Sequence, residues 1–282
     1  MNTQTLKPVA GNDTNAPQGV SLARQMLNKV PEVTLFFWII KILCTTVGET
    51  AADYLIANLG WGLTNTTYVM GAFLIVALAF QFKARRYVPG LYWLAVVLLS
   101  VVGTLITDNL TDHFKVPLMT TTIAFSIALA ATFAAWQAKE KTLSIHSIFT
   151  SRREAFYWLA ILFTFALGTA AGDLVGEKFG LGYLVSLLLF AATIGVVAVA
   201  HFGFKMNAIL SFWLAYILTR PLGASLGDYL SQPHNAGGLG LGTVGTSALF
   251  LSAILGLVVY LAMTKRDALD AVPTLAPAAP RG

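Results

Sequence analysis

Residues 38–53 read WIIKILCTTVGETAAD, an apolar run that opens on Trp38, passes Gly48 and closes on Asp53. The same frame returns as WLAVVLLSVVGTLITD at 93–108, WLAILFTFALGTAAGD at 158–173 and WLAYILTRPLGASLGD at 213–228. Trp93, Trp158 and Trp213 are thus followed by Gly103, Gly168 and Gly223, and then by Asp108, Asp173 and Asp228, always at the same offsets. A charged side chain at the centre of a membrane helix costs about 2.5 kcal/mol or more. Four recurrences of that cost point to one site to which four copies of one element contribute.

The surroundings of these runs decide the class. The chain has 282 residues, of which 56% are hydrophobic and 11% charged, where a soluble domain carries about a quarter charged. Its mean hydropathy is +0.71. The apolar stretches are long enough to cross a bilayer core of about 30 Å as helices, and the short alternating strands of a barrel are missing. The reading is an all-α integral membrane protein that contacts the lipid bilayer directly. Cys44 stands alone, which excludes an internal disulfide and a cysteine-based metal cluster. The net charge of +5 does not point to nucleic acid. In a membrane protein the placement of basic residues carries the information.

Eight spans are expected, at about 34–57, 64–82, 90–111, 117–137, 155–176, 182–203, 208–231 and 242–263. Residues 1–33 and 264–282 are expected to be tails, the first rich in polar residues and the second in Pro and Ala. No signal peptide is expected, because the N-terminus lacks an apolar core followed by a cleavage site. Lys7, Arg24, Lys29, Lys83, Arg85, Arg86, Lys139, Lys141, Arg152, Arg153, Lys205, Lys265, Arg266 and Arg281 all fall on one side of this topology. The opposite loops hold only Lys115 and Lys178, while Lys41 and Arg220 lie within spans. The positive-inside rule then makes both termini cytoplasmic and puts each repeat Asp in the outer half of an odd-numbered helix.

The register persists beyond the Asp. Gly60-Trp61-Gly62, Lys115-Val116-Pro117 and Gly180-Leu181-Gly182 form a turn at the same offset, and Gly240-Leu241-Gly242 comes later because residues are inserted around Pro233. Each repeat is therefore two spans, with bounds near 34–88, 89–150, 151–207 and 208–263. An even number of spans gives every copy the same orientation, so the repeats are parallel. They can close as a pseudo-four-fold ring or pair as two halves.

The pattern resembles a bacterial family of integral membrane proteins of uncharacterised function, whose members carry four tandem repeats, each of two transmembrane segments with a characteristic Trp. The resemblance rests on Trp38, Trp93, Trp158 and Trp213 and covers about residues 34–263. It implies a bacterial inner-membrane location. It implies no activity, so function has to come from the residues.

At about 100° per residue, positions 0, 7, 11 and 15 counted from the Trp share one helical stripe. The stripes are Trp38, Thr45, Glu49, Asp53; Trp93, Ser100, Thr104, Asp108; Trp158, Phe165, Thr169, Asp173; and Trp213, Arg220, Ala224, Asp228. One turn further out lie Asp112, Glu177 and Gln232. Lipid cannot solvate such groups, so the stripes face the interior or an aqueous cavity. Glu49, Asp53, Asp108, Asp112, Asp173, Glu177 and Asp228 cannot all be ionised in a small dry volume. Some must be protonated, solvated or bound to a cation.

Each element also has a plainer reading. The Trp residues suit an aromatic belt at the inner interface. Gly48, Gly103, Gly168 and Gly223 read as packing points, since small residues let membrane helices approach closely. The Asp residues could cap helix ends, although a carboxylate at a helix C-terminus opposes the macrodipole. Lys41 lies one turn from the cytoplasmic end and is expected to snorkel there. Arg220 lies mid-span and needs a carboxylate or water; it meets Glu49 if the fourth repeat packs beside the first, as a static ion pair or as a gate. Pro221 is expected to kink the helix beside it. The hydroxyls at Thr64–Thr67, Thr120–Thr122, Thr243 and Thr246 suit capping or an oxygen-rich site.

The leading expectation is a transporter for a small cation, with Asp53, Asp108, Asp173 and Asp228 as candidate metal ligands. Oxygen-only chemistry favours protons or hard divalent ions over copper, and paired acids suit cation–proton exchange. No cofactor is expected beyond such a bound divalent cation. The alternatives are efflux of organic cations, held by Trp faces and carboxylates, and a non-transporting scaffold or sensor. No nucleotide loop, nucleophile elbow or zinc signature argues for an enzyme.

Overall fold

Odd-numbered helices begin at strong local signals. The Thr34 side chain accepts the Phe37 amide, Thr150 that of Arg153, and Asn207 those of Ile209 and Leu210. These are the bonds that satisfy the orphan donors of a first turn. The remaining odd helix opens on Pro89, whose absent N–H is one of those orphans. The computed structural model describes residues 28–267. The tail residues 1–27 and 268–282, with Lys7, Arg24 and Arg281, lie outside the described residues.

The helices are α1 (Leu35–Asp53), α2 (Gly62–Lys83), α3 (Pro89–Asp108), α4 (Leu118–Glu140), α5 (Ser151–Asp173), α6 (Gly182–Phe202), α7 (Ala208–Ser231) and α8 (Gly242–Thr264). All eight are long and apolar enough to cross a membrane, two per repeat, and no strand occurs among the described residues. The expected spans agree with them to within a few residues. Pro221 lies inside α7, which stays one helix on both sides of it.

Three odd helices share an ending that sequence did not suggest. Directly after Asp53, Asp108 and Asp173 the chain widens into five-residue π-helical turns, Tyr54–Asn58, Asn109–His113 and Leu174–Lys178. The fourth copy lacks this turn; α7 runs through Asp228 to Ser231, and a 3₁₀ turn at His234–Ala236 carries the insertion. The following glycine pairs, Gly60/Gly62, Gly180/Gly182 and Gly240/Gly242, all have φ between 66° and 73°. Glycine takes that left-handed backbone without steric cost.

The odd helices form an inner ring and the even ones an outer layer. In the apolar windows of α1, α3, α5 and α7, 56–72% of residues are buried, against 11–28% for the even helices. The ring closes through one repeated interlock. A methyl group added at Gly48 would overlap Ser100; at Gly103, Phe165; at Gly168, Arg220; and at Gly223, Thr45. Each repeat Gly thus accepts position 7 of the next repeat, and the fourth accepts the first. This decides between the two arrangements left open by sequence: the repeats form a pseudo-four-fold ring. Outside it, α2 packs on α3, α4 on α5, α6 on α7 and α8 on α1, so every even helix braces the odd helix of the following repeat.

The ring has an acid end, where the Asp residues lie, and a terminal end, where the described chain begins and stops. At the terminal end residues 28–30, expected in the tail, are buried instead. Lys29 Nζ pairs with Glu154 Oε2 at 2.7 Å and donates to the Phe82 carbonyl, while Asn28 Oδ1 accepts the Ile148 amide. Tyr87 donates to Asp267, and burial together with this bond pushes its phenol up.

Candidate functional site

Asp53, Asp108 and Asp173 end α-helical geometry, Asp228 takes the equivalent position inside α7, and the stripe below them turns into the ring. At the acid end this builds a cavity of about 550 Å³, lined by Glu49, Asp53, Asp108, Asp112, Asp173, Glu177 and Asp228. All seven acids singled out from sequence therefore share one space, with Gln232. Depth is graded: Asp112 and Glu177 are exposed at the mouth, the four repeat Asp residues are half-buried, and Glu49 is buried at the floor. Sequence reasoning missed Thr111, Lys115, Lys178 and Tyr183 in the wall. The two lysines had a signal: among Lys and Arg, they alone lie in the acid-side loops.

The carboxylates surround the space and do not converge on a point. Among the described residues no three His, Cys, Asp or Glu side chains are grouped as a metal site. The capping reading does not hold for Asp53, Asp108 and Asp173, whose side chains make no capping bond to the π turns they precede. The hydroxyl clusters mostly bond their own helices: Thr66, Thr67, Thr121 and Thr122 each donate to the carbonyl four residues back. None of these four lines the cavity.

Beneath the floor lies Arg220, fully buried. Its guanidinium donates to Glu49 Oε2 at 2.7 Å, to the Thr45 carbonyl at 3.0 Å, to Thr169 Oγ1 at 2.7 Å and to Thr104 Oγ1. The partners are positions 7 and 11 of the other three repeats, so one side chain ties all four copies together on the axis. The planar fork of Arg suits this; a point charge on Lys does not. Gly168 provides the room, since any Cβ there would occupy the space of the Arg220 stem.

Two expectations fail below this layer. Lys41 does not snorkel. It is fully buried, its Nζ lies 4.3 Å from the Phe165 ring centre and 4.2 Å from that of Tyr216, and it donates to Thr219 Oγ1 at 3.2 Å. Its side chain points into the ring, between the aromatic rings of Phe165 and Tyr216. Nor do the Trp residues form a lipid-facing belt. Trp93, Trp158 and Trp213 are 1–4% exposed and pack with Tyr92, Tyr157 and Tyr216 in the ring core. Only Trp38 is half-buried. Position 0 shares the interior stripe, and that outweighs the preference of Trp for an interface. The cavity is thus open at the acid end and stopped by Arg220 and an aromatic floor.

This repeat, with its Trp, its Gly interlock and its two helices, matches a family model called Repeat of Unknown Function (DUF347) four times, at residues 36–87, 91–142, 156–207 and 211–267. The chain belongs to the DUF347 family. No curated protein and no solved structure matches it. Each DUF347 match covers most of one odd helix, the acid-end turn after it and the even helix that follows.

Proposed function

We propose that this DUF347 protein carries a small cation across a bacterial inner membrane, with the acid cavity facing outward and both termini cytoplasmic. The orientation follows from the basic loops at the terminal end. The observation that carries the reading is the lining of a single cavity by seven carboxylates over a closed floor. A concave site of one charge sign concentrates counter-ions, and carboxylates at the edge of a membrane core are costly to retain without a task. Their spread around the wall suits a hydrated divalent cation, which keeps much of its water as Mg²⁺ does. Arg220, the neighbour of Glu49, is the natural gate: neutralising Glu49 removes its only carboxylate partner among the described residues.

A second reading, transport of a small organic cation, is favoured by the cavity volume, which lies within the range of about 300–1,000 Å³ usual for small-molecule sites, and by Tyr183 in its wall. Uptake of Mn²⁺, Mg²⁺ and a quaternary ammonium dye into proteoliposomes separates the two. The test of the reading as a whole is the set Asp53→Asn, Asp108→Asn, Asp173→Asn and Asp228→Asn. Loss of flux with folded yield retained is expected; variants that all move every tested cation like the wild type would sink it.

A further inference from the structure

Trp93, Trp158 and Trp213 are sealed in the ring core, and Trp38 is not. The difference lies in the even helix that each Trp meets. Trp213 meets α4, whose Phe133 and Trp136 rings lie 4.9 and 5.8 Å from it, and its Nε1 donates to the Leu143 carbonyl at 3.0 Å. Trp38 faces α6, which carries Ala198 and His201 at the repeat positions of Phe133 and Trp136. Where α4 supplies two large aromatic side chains, α6 supplies a methyl group and an imidazole. The space left over is a second cavity, of about 740 Å³, between α1, α6 and α7. The connection at 141–150, longer than those at 84–88 and 203–207, contributes Leu143–His146 to its terminal end. It shares no lining residue with the acid cavity.

The walls are graded along the membrane normal. Ser144, His146, His201 and Ser211 lie at the terminal end, while Ile42, Ala191, Ile194 and Leu222 lie toward mid-span. Polar atoms in the wall are already engaged. Ser211 donates to the Asn207 carbonyl, Thr219 to that of Tyr216, and His201 Nδ1 meets the Met206 carbonyl at 3.2 Å. An apolar space of this kind stays dry, and left empty it forfeits dispersion contacts along every wall. Its rim residues Ala191, Phe202 and Ala208 are exposed and belong to helices long and apolar enough to cross a membrane. The space therefore opens sideways, to lipid. From Ala208 to Leu222 the α7 wall runs about 20 Å at 1.5 Å per residue, enough for one leaflet's share of a hydrocarbon core of about 30 Å. Lys205, exposed in the loop between Phe202 and Ala208, sets a cation at the end where a phosphate would lie.

We propose that this cavity is a lipid site, filled by one acyl chain of a phospholipid whose headgroup lies at the terminal end. The elongated apolar wall, the polar end and the adjacent Lys205 together match a phospholipid and not a compact apolar molecule. The proposal stands apart from the cation-transport reading. Thr219 and Leu222 flank Arg220 and Pro221 in α7, and both line the cavity. The chain thus ends against the turn of α7 that carries the guanidinium. Thr219 also accepts the bond from Lys41 Nζ, so the lipid bears on the ring from outside, at the depth where the acid cavity is stopped.

The experiment uses the full chain, purified in detergent, stripped of lipid and then mixed with phosphatidylglycerol. Native mass spectrometry is expected to show one phospholipid retained on the wild type. The double variant Ala198→Phe, Ala215→Leu fills the cavity from two walls and is expected to lose that lipid while unfolding at the wild-type temperature or higher. Ile194→Phe, which fills it from a third position, replaces the double variant should that fold poorly. A phosphatidylglycerol brominated in its chains reports the place, because bromine quenches a Trp that it touches. Quenching at one lipid per chain is expected in the wild type and is expected to be lost in Trp38→Phe. Equal lipid retention by the filled variants overturns the proposal, as does equal quenching without Trp38. A wild type that retains no phospholipid overturns it too. So does a bromoalkane that quenches Trp38 as strongly as the phospholipid at the same concentration, since the cavity then takes any apolar molecule.

Discussion

Arg220 is the residue on which the ring turns. Its guanidinium bonds groups of the other three repeats, and among the described residues Glu49 is its one carboxylate partner. Removing one member of a buried pair costs about 3–5 kcal/mol, whereas replacing both by apolar groups of similar size is often neutral. Arg220→Ala is therefore expected to destabilise the protein by about that amount in thermal unfolding in detergent. Glu49→Met with Arg220→Met is expected to recover most of the stability and to abolish cation flux; full flux in the double variant would make the pair purely structural. Lys41→Met removes a buried amino group that has no carboxylate partner among the described residues, and it is expected to unfold at the same temperature as wild type or higher. The pairing of Arg220 with Glu49 was legible in sequence as a conditional, because both lie on the same stripe. The fate of Lys41 was not: depth along the axis can be counted from sequence, but what blocks the way to the surface comes from Phe165 and Tyr216, more than a hundred residues away.

At the scale of the element, the interlock of Gly with position 7 explains why the Trp-to-Gly offset does not vary. Gly48→Ala and Gly223→Ala force a methyl group into Ser100 and Thr45 and are expected to cost about 1–3 kcal/mol each, as overpacking does. Gly71 in α2 and Gly195 in α6 meet nothing within 4 Å. Alanine at these two is expected to leave stability unchanged or raise it by up to about 1 kcal/mol, the helix-propensity difference. Unfolding midpoints of the four variants check this; equal effects at ring and outer positions would contradict the layered arrangement. Helix positions were readable because a run of apolar residues long enough to span is a local property. The π turns after Asp53, Asp108 and Asp173 were not readable, since nothing in those residue types distinguishes one extra residue per turn from ordinary helix.

At the scale of the whole molecule, the cavity gathers seven acidic side chains, and under the proposed function a bound cation would relieve the repulsion among those that are ionised. A ligand at a hundred times its Kd stabilises the folded state by about 2.7 kcal/mol. Titrating Mn²⁺ or Mg²⁺ into the detergent-solubilised protein is expected to raise its unfolding temperature. The variant with Asn at 53, 108, 173 and 228 is expected to start higher, relieved of repulsion, and to stop responding; an equal response in both proteins would place the cation elsewhere. Sequence by itself determined the membrane class, the eight spans, the four-fold repeat and the stripe on which the acids lie, because hydrophobic length and helical periodicity are written in neighbouring residues. Only the tertiary structure decided that the stripes close into a ring, that Arg220 stops its axis, and that the Trp and Lys41 side chains are core. Those outcomes depend on which face of one helix meets which face of another, and each Gly meets its partner about a repeat away along the chain, the last across the whole of it.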